Sequence, residues 1–350
     1  LCCNMDGKRN SILIAASGTC QVFNGSDSLE IEFGNHEEIN CGCTTFAQYG
    51  SNVFNITMLF KDREIWALVK NESSWLKYRI STSIGCSSPR TLDVVNVPPL
   101  EGQQNANRCF AIWLDAGSGG VYVTEGRTPI NVADDILDLF DQAKAEHIDL
   151  AHVNGFAGFV DKGRLEYHLF LTLNTGEAEF VLDLRRWKWF RMDRGAGNAL
   201  QCALNVTDQY GNNYAYGFVD TGYMERLEHG TTFDGTAIAS TLWLGDLSLI
   251  DNDCFTESEV KAIVPCMVAG TGAADITMTH YVDSAATGTA CTVDPANAGH
   301  RLAFPVKTAN SAPGVLHSLK METVMDEESC GFEPISMAIY YQPVREHDYM

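Results

Sequence analysis

Between residues 155 and 192, apolar and polar side chains alternate with a period of two, and turn residues interrupt them at every strand length. Leu165, Tyr167, Leu169, Leu171 and Leu173 share one face, and Glu166, His168, Phe170 and Thr172 share the other. The next run sets Ala178, Phe180, Leu182 and Leu184 against Glu179, Val181 and Asp183. This pattern commits the chain to half-buried strands, because a helix would scatter the same residues around its circumference. Asp161-Lys-Gly163, Asn174-Thr-Gly176, Arg194-Gly195, Tyr210-Gly211-Asn212, Asp220-Thr-Gly222 and Glu228-His-Gly230 punctuate the runs, as in an antiparallel meander. Four strands result, at 155–161, 164–174, 177–184 and 187–192, and four meandering strands make one propeller blade.

A weak repeat extends this expectation. Gln21 to Gly25, Tyr122 to Gly126 and Arg226 to Gly230 each end a short strand in a glycine turn, about a hundred residues apart. That is two blades each if a blade takes roughly 50 residues, so four or five blades are expected. Residues 131–144 break the pattern: Ala133, Ile136, Leu137, Phe140 and Ala143 fall on one helical face, with Asn131 as N-cap and Asp134 and Asp135 in the first turn. One amphipathic helix between blades is therefore expected. Past Asp246 an acidic stretch runs to Glu259, and strands return at 260–269, 274–283, 300–307, 314–324 and 335–343, around an exposed loop at 284–299. The fold class is all-β: a β-propeller over 1–246, then a small β-sandwich or barrel over 247–350.

Charge narrows the partners. The chain has 45 acidic and 24 basic residues, a formal charge of −21, whereas tight nucleic-acid binding needs Lys and Arg to displace counterions from phosphates. No apolar stretch approaches the roughly 20 residues that span a bilayer, so no membrane anchoring is expected. Several of the 12 cysteines sit in apolar strands, such as Cys109 and Cys202, and read as buried free thiols.

Chemistry leaves little trace. Sialidase-type Asp-boxes are absent, and among 45 carboxylates no spacing singles out the pair that a glycosidase needs. Cys41-Gly-Cys43 near His36 offers three soft ligands but no second pair at zinc-finger spacing. The run beginning at Asp251 starts like a calcium loop, but Thr256 stands where the sharp turn needs glycine. No nucleophile elbow, Walker loop or zinc-protease motif occurs. The expectation is no catalytic residue, no cofactor, no metal and no enzymatic activity.

One basic and aromatic ribbon stands out: Arg185, Arg186, Trp187, Lys188, Trp189 and Arg191, followed by Arg194. It fits an outer blade strand whose aromatics pack inward while the basic stems reach solvent. It also fits a contact with an acidic neighbouring subunit, and in a nucleic-acid protein it would be a binding ribbon.

The run Val181 to Trp189, then Asp208 and Gly211, then Gly222 to Gly235, resembles propeller-bearing structural proteins of tailed bacteriophages, the tail hub or nozzle proteins below portal and adaptor. The Pro129-Ile-Asn-Val segment with its helix and the ending Gly331-Phe-Glu-Pro-Ile are similar to theirs. The resemblance implies a virion protein assembled in the host cytoplasm, a subunit of a homo-oligomeric ring around the DNA exit channel. Its partners would be copies of itself, neighbouring portal, adaptor or tail proteins, and DNA that passes during ejection without tight binding. Acidic channel walls would suit such passage. Two other classes remain: a glycan-binding or glycan-cleaving viral tail protein, and a cellular propeller scaffold.

Overall fold

Aspartates close the hairpins. Asp115, Asp161 and Asp183 each end a strand, and the side-chain oxygen of each accepts the backbone N–H two residues on, from Gly117 at 3.1 Å, Gly163 at 2.8 Å and Arg185 at 2.8 Å. Each of their carbonyls also accepts the N–H four residues on, from Gly119, Leu165 and Trp187. That fourth residue lies in the left-handed region, with φ of 71° for Gly119, 59° for Leu165 and 57° for Trp187. Glycine adopts this conformation freely; leucine and tryptophan hold it only because their side chains pack on the core below. Asp208 builds a related turn, accepting from Tyr210 at 2.8 Å and Asn212 at 2.9 Å.

The structure is a computed structural model that describes residues 2–5, 7–16, 21–23, 28–49, 52–71, 74–97, 108–195, 198–220, 222–227, 229, 232–233, 236–250, 256–267, 276–293, 312–325 and 334–344. The chain divides into two compact units, Leu1–Glu228 and His229–Met350.

In the first unit, antiparallel meanders succeed one another along the chain. The first sheet has three strands: Cys2–Met5, Lys8–Ile14 and Leu29–Glu32. The second has four: Cys41–Tyr49, Asn52–Phe60, Ile65–Asn71 and Ser74–Ser81. The third also has four: Asp93–Val97, Arg108–Asp115, Gly120–Thr124 and Ile130–Asn131. The fourth is the blade expected from the alternation: Ala157–Asp161, Glu166–Leu173, Gly176–Asp183 and Lys188–Met192. The fifth has three: Leu200–Thr207, Asn213–Val219 and Met224–Arg226.

The leading strands of the second to fifth sheets touch in order, Cys41–Tyr49 against Asp93–Val97, that strand against Ala157–Asp161, and the latter against Leu200–Thr207. Successive four-stranded meanders joined along their leading strands are consistent with a β-propeller. The core lies between sheets. One cluster joins Phe110 and Ile112 of the third sheet to Leu169, Leu171 and Leu182 of the fourth; another joins Phe159 and Phe170 of the fourth to Ala215 and Val219 of the fifth. Buried polar ties cross the same gaps: Tyr167 donates its hydroxyl to the Thr91 carbonyl at 2.7 Å, and Val160 N–H donates to Asp93 at 2.8 Å.

The expected amphipathic helix over 131–144 is corrected. Asn131 ends a strand, paired with Tyr122, and its side chain accepts from Ala133 N–H at 2.9 Å. The chain then enters a 3-10 helix, Asp134–Phe140, broken by a non-helical Ile136. The buried residues are Ala133, Ile136 and Leu139, three apart, and Leu137 is 45% exposed. Spacing of three is the 3-10 repeat, and it takes Leu137 off the buried face.

In the second unit, Thr232–Phe233, Thr236–Leu247, His317–Met325, Ile276–Val282 and Thr289–Val293 form a five-stranded sheet in that spatial order. Ser258–Met267 pairs with Pro334–Pro343 in a second sheet. One cluster draws on both, with Val260, Ile263 and Met267 from the pair and Ile276, Met278, Leu319 and Met321 from the larger sheet. The division falls between Glu228 and His229, not at 246, because Thr236–Leu247 pairs along His317–Met325. The expected loop at 284–299 contains the strand Thr289–Val293, which pairs with Ile276–His280. The expected strand at 300–307 and the Asp251 run through 255 lie outside the described residues.

Candidate functional site

The site forms where the fourth sheet's third and fourth strands meet. Glu179 pairs in register with Met192, so chain leaving Met192 returns Arg194 over the Glu179 carboxylate. His168 pairs with Val181 and Phe170 with Glu179, which makes His168 and Glu179 diagonal neighbours on one face. His168 Nδ1 lies 2.7 Å from Glu179 Oε1. Arg194 donates from Nε to Oε2 at 2.6 Å and from Nη2 to Oε1 at 2.9 Å. All three residues are buried: His168 is 0% exposed, Glu179 5% and Arg194 7%.

Burial would raise the Glu179 pKa, but hydrogen bonds from Arg194 and His168 and their charges outweigh it and hold the carboxyl below its ordinary value. An ionised Glu179 accepts, so His168 carries its proton on Nδ1 and donates it. His168 Nε2 is buried without a hydrogen-bond partner, and Glu166 Oε2 lies 3.9 Å away.

Beside this network opens a pocket of about 360 Å³. Its polar wall is made by Glu177, Glu179, Asp193, Arg191 and Arg194, and its apolar wall includes Leu200. Arg191 is held against Glu146 at 2.9 Å and over the Phe180 ring at 5.9 Å from its centroid. Glu177 meets Gln201 of the fifth sheet. The pocket thus presents ionised acceptors next to guanidinium donors, at a volume within the range of small-ligand sites.

The basic ribbon falls partly inside this site. Trp187 packs half-buried with its ring edge-on to Phe110 at 5.8 Å, and Trp189 donates its indole N–H to the Val132 carbonyl at 2.6 Å. Lys188 pairs with Asp135 at 3.0 Å, in the 3-10 helix that replaced the expected α-helix. Arg185 and Arg186 stay exposed, with Arg186 3.9 Å from Asp183 of its own turn. The structure brings Arg191 and Arg194 to the pocket and leaves Arg185 and Arg186 on the surface. Glu179 and Arg194 as a buried pair are not evident from the sequence. Their signal was a polar face reading Glu166, His168, Phe170 in a strand whose other face was already apolar, since polar groups buried on both sides need partners.

The Cys41 and Cys43 thiols share one face and pack against the cluster containing Cys86 and Trp113. The Cys86 thiol beside Cys41 and burial push Cys41 strongly up, and burial with neighbouring Cys109 pushes Cys43 up to about 12, so both stay protonated. Among the described residues no group of three or more His, Cys, Asp or Glu is placed to hold a metal ion.

No protein-family profile matches the chain, and no curated protein matches it. Among solved structures it is similar to a GH43 glycoside hydrolase, whose engineered active site displays both endo-xylanase and exo-arabinofuranosidase activity. The identity is 9%, the match covers 83% of this chain and 85% of that one, and the TM-score is 0.26. That neighbour is an enzyme, against the expectation of a chain without enzymatic activity, which is not carried forward. At this TM-score the likeness assigns neither an activity nor a residue role to this chain.

Proposed function

We propose that the chain is a glycan-binding protein of a viral tail that takes a saccharide unit in the pocket beside Glu179 and Arg194. The observation that carries this is the pocket's polar wall. Adjacent sugar hydroxyls each donate and accept, and an ionised carboxylate set beside guanidinium groups satisfies both directions at once. Leu200 supplies apolar surface for a sugar's C–H face. The test is calorimetric titration with a panel of bacterial oligosaccharides. One of them should bind, and Glu177→Gln and Asp193→Asn should each weaken it at least tenfold without moving the melting temperature. Reducing-end release is followed in the same mixtures; release abolished by either substitution moves the reading from binding to cleavage. No binding by any oligosaccharide at millimolar concentration ends it.

A ring subunit of a phage tail hub or nozzle, contacting portal and adaptor and passing DNA without retaining it, is the second reading. It is supported by the sequence resemblance, the charge of −21 and an exposed apolar strand, where Ile335 is 61%, Tyr340 60% and Tyr341 40% exposed. In this reading the first unit is a β-propeller and the second a small β-sandwich or barrel. Native mass spectrometry at micromolar concentration should give a closed homo-oligomer that Tyr340→Glu dissociates. A monomer at every concentration ends the ring.

A further inference from the structure

The second unit holds a buried polar chain that the pocket does not use. Ser258 begins one strand and His317 another, and His280 lies on the inward face of a third. All three are closed off from solvent, at 1%, 1% and 2% exposure. His317 Nε2 lies 2.9 Å from Ser258 Oγ and 3.2 Å from the Gly314 carbonyl, and His317 Nδ1 lies 3.0 Å from His280 Nε2. The two rings are nearly parallel, at 14°. Register explains the meeting: Val282 pairs with His317 and His280 with Leu319, so the histidines are diagonal neighbours facing the core. Ser258 and Gly314 exchange both backbone hydrogen bonds, which ties the smaller sheet's leading strand to the segment entering His317–Met325.

Proton counting decides what this chain can do. The Gly314 carbonyl only accepts, so His317 carries its proton on Nε2. His317 Nδ1 then accepts from His280 Nε2–H, and His280 Nδ1 is left as a bare lone pair. That atom is buried with no hydrogen-bond partner. A third proton on the pair would have to sit there, as a charge among Met278, Leu319 and Met321 with no acceptor for it among the described residues.

We propose that Ser258, His317 and His280 form an acid-sensitive latch: as neutral groups they join the two sheets of the second unit, and proton uptake by the imidazole pair releases the join. Few charges oppose this. Asp283, in the turn after Ile276–Val282, lies near His317, but its Oδ1 already accepts from Val315 and Leu316 N–H. On the smaller sheet's strand, Glu259 pairs with Lys261, and Glu257 is exposed. On the neighbouring strand Lys320 pairs with Glu322, and both alternate to the face opposite Leu319 and Met321. Inward-facing Cys291 on Thr289–Val293 gives its thiol to the Met278 carbonyl. Burial pushes His280 down to about 4 with help from His317, and burial lowers His317 against Gly314, Asp283 and Ser258.

The unfolded imidazole takes its proton near pH 6.5, as in model peptides, while folded His280 waits until about 4. Between these values the unfolded state binds more protons. The latch therefore stabilises the unit fully above about pH 6.5, weakens as pH falls, and contributes nothing below about 4. For one such histidine the folded-to-open ratio falls about thirtyfold between pH 7.5 and 5.0.

Urea-dependent hydrogen exchange on the full chain, read peptide by peptide at both pH values, tests this. Peptides within 258–267 and 317–325 should lose about thirtyfold in that ratio, and peptides within 157–192 less than twofold. His280→Phe should shrink the response to what buried His317 contributes by itself. Should that variant fail to fold, imidazole NMR titration of the wild type decides: the His280 resonance must stay flat from pH 8 to about 5.5, and His317 must titrate below its ordinary value. An unchanged ratio in the second unit, or ordinary titration of both His280 and His317 near pH 6.5, overturns the latch.

Discussion

His168 in the first unit and His280 in the second occupy equivalent places, on the inward face of a central strand with no exposure to speak of. What differs is the neighbour. His168 touches a carboxylate that Arg194 already neutralises; among the described residues, His280 hydrogen-bonds to another imidazole and to no charged group. The first cluster gathers opposite charges and keeps them ionised, and the second remains neutral because it is buried and the carboxylate near it, Asp283, already accepts from Val315 and Leu316 N–H. Burial of a polar side chain thus says little until its partner is named. The two units should respond to acid in different ranges, the second from about pH 6.5 downward and the Glu179 cluster only on passing below the ordinary carboxylate range.

The largest effect expected from this contrast is at Arg194. Arg194→Ala leaves Glu179 buried beside a histidine that cannot replace two charge-assisted hydrogen bonds, and loss of one partner of a buried pair costs about 3–5 kcal/mol. Denaturant unfolding should show that loss in the first unit and no change in the second. Adding Glu179→Gln to Arg194→Ala should recover part of it, because the uncompensated charge is then gone. If Arg194→Ala alone costs under about 1 kcal/mol, water solvates the pair and the contrast with His280 fails. Next in size is the pH response of the second unit, whose expected thirtyfold change corresponds to about 2 kcal/mol.

The fourth sheet was legible because its period-two alternation and its Asp-to-Gly turns carry strand, face and register together. The 3-10 segment was not, because Ala133, Ile136, Leu137, Phe140 and Ala143 satisfy a helical wheel as well as a spacing of three, and only the Asn131 strand pairing decides between them. Glu179 and Arg194 were hidden by distance: the residues are 15 apart and meet only once the hairpin has returned. His280 and His317 are 37 apart, and no local pattern joins them; the register of two strands does. The strand Thr289–Val293 was masked by the Ala, Thr and Gly composition of the 284–299 segment that holds it, which suits an edge strand and a loop equally.

The smallest effects belong to the basic ribbon, and they separate its two meanings. Lys188 and Asp135 form an ion pair 3.0 Å long with side chains 70% and 34% exposed, so screening by water and salt leaves Lys188→Ala a cost of about 0.2–1 kcal/mol. Trp189→Phe removes a donor from the Val132 carbonyl and should cost about 1 kcal/mol or slightly more. Arg185→Ala with Arg186→Ala should leave denaturant midpoints unchanged, because their guanidinium groups stand on the surface of a turn held by Asp183. That silence makes them the informative pair. If the ribbon only packs the first unit together, the double substitution changes nothing in stability or in native mass. If it meets an acidic neighbouring copy, the same substitution leaves stability intact and lowers the assembled fraction, and added salt should lower it further. A drop in stability without a change in mass would break both accounts, since it would place Arg185 and Arg186 in a contact that the turn geometry denies them.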